Sequence, residues 1–164
     1  MTPAQRSALE SLAARSLMGG EIAALEPLLA IRDDVAIAAL LSTGRVTVVS
    51  HRIGELGILD LLGPVAGDAF LVALEAITGP EALPEGLRPY CGAIRRGVAW
   101  LKTEGFDVGA GTTRVLLDAL AAGGILDGAA VLAIKASAER ASPIPYAAVS
   151  DVLNVAEGRL TLGG

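Results

Sequence analysis

The chain has 164 residues, 13 Lys plus Arg against 18 Asp plus Glu and a net charge of −5, a size that suits one domain or one domain with an extension. Leu, Ile, Val and Phe together make up about 30% of it, well above the level expected of a disordered chain. No uncharged run exceeds ten residues, whereas a membrane-spanning helix needs roughly 20 apolar ones, so a soluble protein without a membrane partner is expected.

Arg6, Glu10 and Arg15 interrupt the N-terminus before any signal-peptide core could form. The lone cysteine, Cys91, excludes an internal disulfide and a multi-cysteine metal site, and it is compatible with a reducing cytoplasm. An acidic balance weighs against a general nucleic-acid partner, because phosphate affinity rests on clustered Lys and Arg. Arg95, Arg96 and Lys102, with Trp100 nearby, form the single basic cluster, more simply read as a solvated helix face. With 30 Ala, 25 Leu and 20 Gly, the core must be built from small and medium aliphatic side chains in close helix packing.

In chain order, residues 4–18 carry Ala8, Leu9, Leu12, Ala13 and Leu17 at helical spacing and stop at Gly19-Gly20. Residues 21–31 read as a second helix, which Pro27 should break or kink. Asp33 or Asp34 is placed to cap a short apolar helix over 35–41 that ends near Gly44. Residues 45–50, with three Val and a Thr, are the one clear strand. A single strand cannot satisfy its own backbone groups. Its options are the C-terminal run 159–162, an exposed extended linker, or completion by another subunit through strand addition. In that last case Val46, Val48 and Val49 form the subunit contact.

Residues 53–62 have helical spacing weakened by Gly54 and Gly57, and Pro64 suits the first turn of a helix over 65–77. Three prolines (Pro80, Pro84, Pro89) mark 80–90 as an irregular loop or hinge. Further helices are expected over 89–102, over 112–122 with Thr112 as cap, over 128–140 with Asp127 as cap, and over 146–157, before a loose or strand-like tail over 159–164. The count is seven or eight short helices. The expected fold is therefore mainly α, a compact bundle with a minor β element near 45–50. The division expected is N-terminal helices over 1–44 and a main helical domain over 45–164 with the Pro-rich loop inside it.

Chemistry is sparse. His51 could act as a base with Asp60 or Glu55 behind it, but a lone histidine where a strand meets a helix is more simply a capping or surface residue. Cys91 has Arg95 and Arg96 nearby, yet a buried, inert thiol on a helix is the simpler reading. Neither a His-Glu-x-x-His nor a paired Cys-x-x-Cys motif occurs, and Asp33-Asp34 lacks the alternating ligands of a calcium loop, so no metal or cofactor is expected. Asp60 with Asp68, and Asp118 with Asp127, read as caps or solvated faces rather than a carboxylate pair. The glycine-rich segment Gly105-Phe-Asp-Val-Gly109-Ala-Gly111-Thr-Thr-Arg114 could present backbone N–H groups to a phosphate. Arg114 stands where a third motif glycine belongs, so a helix-capping turn is the expectation.

Several segments carry a resemblance: 52–59, Leu62-Gly-Pro-Val-Ala-Gly67, 70–76, Phe106-Asp-Val-Gly109, 113–126 and Ser142-Pro-Ile144. Across roughly 45–155 the chain is similar to small Ala-rich helical proteins of unassigned function encoded among tailed-bacteriophage structural genes. The resemblance implies a non-enzymatic structural or assembly component of the virion, a head or tail accessory whose partners are other virion proteins or copies of itself. It implies location in the virion, and in the host cytoplasm during assembly. It carries no catalytic residue. The alternative is a small acidic phage-encoded regulatory or inhibitor protein that binds a host factor.

Overall fold

The computed structural model describes residues 1–159. Its helices begin and end where the local chemistry dictates. Pro3–Ala13 (α1) opens on a capping box, with the Thr2 hydroxyl accepting from the Gln5 N–H while the Gln5 side chain accepts from the Thr2 N–H. Gly19–Ile31 (α2) opens with Glu21 accepting the Met18 N–H, and Asp34–Ser42 (α3) opens on Asp33, which accepts the Ala36 N–H at 2.9 Å. Contrary to the expected break, α2 runs unbroken through Pro27, with Leu25 and Leu29 on either side buried.

The described residues fall into two compact units. The first joins residues 1–47 to the chain from Ala141 onward, and the second is the intervening Val48–Arg140. Division at residue 44 therefore does not describe the molecule. The last helix, Tyr146–Ala156 (α9), packs on α1 and α3, where its Val149 and Leu153 are fully buried beside Leu9, Leu25, Ile37 and Leu41. A polar cluster fastens the same helix. Arg32 ends α2 in the left-handed conformation (φ 55°), unusual for a residue with a Cβ. Its guanidinium reaches Glu157 at 2.7 Å, Asn154 at 3.1 Å and Asp34 at 3.4 Å, and Gln5 adds a bond to Glu157.

In the second unit Glu55–Leu62 (α4) and Pro64–Glu75 (α5) form an antiparallel hairpin about Gly63. Gly67 allows their close approach, since a Cβ there would lie 2.9 Å from the Leu59 Cα. The Pro-rich segment is two 3-10 turns, Pro80–Ala82 and Glu85–Tyr90, leading into Cys91–Leu101 (α6). Gly111–Ala122 (α7) and Gly128–Ser137 (α8) follow, the latter capped by Asp127 as expected. Thr112 is not a cap, because α7 already starts at Gly111 with Ala110 before it. Ile58, Phe70, Leu74, Ile94, Leu117, Val131 and Ile134 form the unit's core.

The fold is mainly helical with a minor β element, nine helices lying among the described residues. Four short strands pair as two two-stranded sheets. Val46–Val48 (β1) lies within the Val-rich run, and its sheet partner is Glu139–Ala141 (β4), which the sequence assigns to the end of a helix. The alternative partner, 159–162, falls beyond the described residues after Arg159. Arg52–Ile53 (β2), of which Ile53 is expected to begin a helix, pairs antiparallel with Phe106–Asp107 (β3) in the register Arg52↔Asp107 and Ile53↔Phe106.

Candidate functional site

The glycine-rich segment is a structural junction. Its Asp107 carboxylate accepts from the Ser50 hydroxyl and from the backbone N–H groups of His51 and Gly109, each at 2.8 Å. The His51 N–H, then the Ser50 hydroxyl, hold this carboxyl below its ordinary range against the opposing effect of burial. Val108 donates back to the His51 carbonyl at 2.9 Å. Two glycines make the approach sterically feasible. Gly105 has φ +76° and its Cβ would lie 2.9 Å from the Ile53 carbonyl oxygen, while a Cβ on Gly109 would overlap the Val49 carbonyl. Arg114 turns away to the Lys135 carbonyl (2.9 Å) and Glu139 (2.5 Å). The Asp107 and Arg114 side chains of the segment are thus engaged within the protein, whereas Thr112 and Thr113 line the cleft next to it.

Beside this junction lies a cleft of about 430 Å³ within the second unit. Helices α6 and α7 supply its walls through Ile94, Val98, Leu116, Leu117 and Leu120, Phe106 of β3 adds an aromatic face, and Leu74 comes from α5. Arg52, Arg96, Trp100, Glu104, Asp107, Thr112 and Thr113 add polar or half-exposed groups to the lining. Arg52 is neutralised by Glu104 at 2.9 Å. Trp100, the chain's single tryptophan, is half exposed. The basic cluster of α6 divides here: Lys102 pairs with Glu75, which raises the pKa of the ammonium, whereas Arg96 faces the cleft.

The other candidate residues do not converge on one site. His51, Arg52, Asp60 and Ser137 border a second, shallower recess, but no hydrogen bond links His51 to Asp60 or Glu55 among the described residues. Ser137 donates its hydroxyl to the Ile134 carbonyl at 2.6 Å, a bond within its own helix. Cys91 is buried in the second unit's core. Asp33 and Asp127 are helix caps, and Asp118 holds Lys135 at 2.6 Å. Among the described residues no three His, Cys, Asp or Glu side chains gather within metal-binding reach. None of the described helices is long and apolar enough to cross a membrane. Val46 and Val48 are exposed on β1, and Val49 is half-buried where its N–H donates to the Ala138 carbonyl at 2.9 Å.

The sequence signals this cleft only in pieces, because its lining comes from five separate segments: the glycine-rich run 105–114 and the basic cluster with Trp100 both contribute, but nothing local joins them to each other or to Arg52 and Leu74. The i, i+4 spacing of Arg96 and Trp100 places that pair on one side of α6. No family model matches the chain, and neither curated proteins nor solved structures give a match.

Proposed function

We propose that this chain is a non-enzymatic structural or assembly component of a tailed-phage virion, working by contact with other virion proteins or with copies of itself. The observation that carries the contact role is the outer face of α5. Val65, Ala69 and Val72 follow one another at helical spacing along it, with Ala76 at its C-cap continuing the series and Asp68 at its edge, and all are exposed, Val65 at 84% and Val72 at 56%. The opposite face of the helix already fills the core through Phe70 and Leu74. An amphipathic helix of a free-standing protein would carry polar residues outward, and a contiguous exposed apolar surface marks an interaction site. The phage assignment rests on the sequence resemblance across 45–155.

A mass-spectrometric inventory of purified particles tests it, with the expectation that the chain is present at stoichiometric copy number. Its absence there, with a host protein co-purifying from infected cells, would instead favour the inhibitor reading. Within the first outcome, the double variant Val65→Asp, Val72→Asp should be excluded from particles while its circular dichroism matches the parent. Normal incorporation of a folded double variant would remove α5 from the contact.

A further inference from the structure

We propose that the cleft between α6 and α7 binds a small amphipathic monoanion, an aliphatic chain ending in a carboxylate. This goes beyond the contact role, which uses the outer face of α5. The cleft's volume of about 430 Å³ falls in the range of small-molecule sites, and its walls are aliphatic with one aromatic face. An apolar ligand body is therefore favoured over a sugar or a nucleotide.

Charge fixes the other end of the ligand. Of the 13 basic side chains, Arg95 and Arg96 alone have neither a hydrogen-bond nor an ion-pair partner among the described residues. Arg96 is the one that lines the cleft. The other lining cation, Arg52, is matched by Glu104, and the Asp107 carboxylate already accepts three hydrogen bonds from the protein. One unmatched guanidinium suits one negative charge, and its planar fork matches a carboxylate in bidentate fashion. A dianionic phosphate brings a second negative charge for which the lining offers no second free cation, which makes it the poorer fit. Thr112 and Thr113, whose hydroxyls have no partner among the described residues, add further polar groups to the lining.

Gly97 offers a clean way to close the site. It lines the cleft, and a Cβ there would meet nothing within 4 Å. A leucine at this position would project into the empty volume and also favour the helix.

The test is titration of the full chain with decanoate, kept below its micelle threshold, followed by Trp100 fluorescence and calorimetry. Decanol, decyl phosphate and acetate serve as comparison ligands. Saturable one-to-one decanoate binding is expected, with decyl phosphate and decanol at least tenfold weaker and acetate without effect. Arg96→Gln should weaken decanoate at least tenfold and leave decanol unchanged. Gly97→Leu should abolish binding while its melting temperature stays at or above the parent's. Absence of saturable decanoate binding, equal affinity for decanol, tighter binding of decyl phosphate, or full affinity in a folded Gly97→Leu variant would each overturn the proposal.

Discussion

Asp107 and Gly109 show how single residues hold the second unit's strands in place. Replacing Asp107 with Ala leaves the Ser50 hydroxyl and two backbone N–H groups without their acceptor. Partial solvent access softens the loss, so about 1–2 kcal/mol of destabilisation is expected. Gly109→Ala forces a Cβ into the Val49 carbonyl and should cost about 1–3 kcal/mol by displacing backbone. Urea denaturation midpoints of both variants check these values. Carboxylates of the first unit respond to acid in a defined direction. Glu21 is held down at about 2 by its hydrogen bond to Arg15 and then by the Met18 N–H, from an ordinary 4.5. Glu10, through the Leu17 N–H, and Glu157, through Gln5, are also lowered. A folded-state value below the unfolded one contributes stability that is complete above about 4.5 and disappears as pH falls through about 2. Melting temperature should therefore decline across that window, and Glu21→Gln should flatten the decline.

Helix α2 illustrates packing overriding propensity at the scale of an element. Pro27 has no N–H to give the carbonyl one turn earlier, a defect of up to about 3 kcal/mol in a helix interior. The helix nevertheless continues because Leu25 and Leu29 are fixed in the first unit's core and the Arg32 N–H closes the end onto the Leu28 and Leu29 carbonyls. Pro27 is itself exposed, so Pro27→Ala restores a hydrogen bond without disturbing the core. It should raise stability by about 1–3 kcal/mol, read as a higher urea midpoint with unchanged helicity. Strand β1 teaches a different lesson. Three valines identify it, but its partner β4 consists of Glu139-Arg-Ala, a run with no β-forming residue. That strand exists because its backbone groups can pair, not because its side chains favour extension.

At the scale of the whole molecule, the chain leaves its first unit after Thr47, builds a second, and returns at Ala141 to finish the first. Each unit has a separate apolar core, and the two sets of buried residues do not overlap. A chain ending after Arg140 would lack Ile144, Val149 and Leu153, three of the eleven buried side chains of the first core. Hydrogen exchange should then show loss of protection over α1 to α3 while residues 48–140 keep theirs. Equal protection in α1 to α3 with and without α9 would refute this dependence. The unit's stability is thus a property of two segments far apart in the chain, whose closure carries the entropy cost of everything between them.

Local chemistry alone determined much of the outcome. Apolar spacing located the helices, Asp33 and Asp127 announced two of their starts, and the Val-rich run identified β1, because caps and periodicity act between residues within a turn or two of each other. Tertiary structure alone decided that β4 pairs with β1, that α9 belongs with the N-terminal helices, that Gly105 and Gly109 serve a backbone contact, and that Arg96 and Trp100 border an apolar cleft. Each of those depends on groups separated by tens of residues, and the free energy that selects them comes from shared burial and hydrogen bonding that no short window of sequence contains.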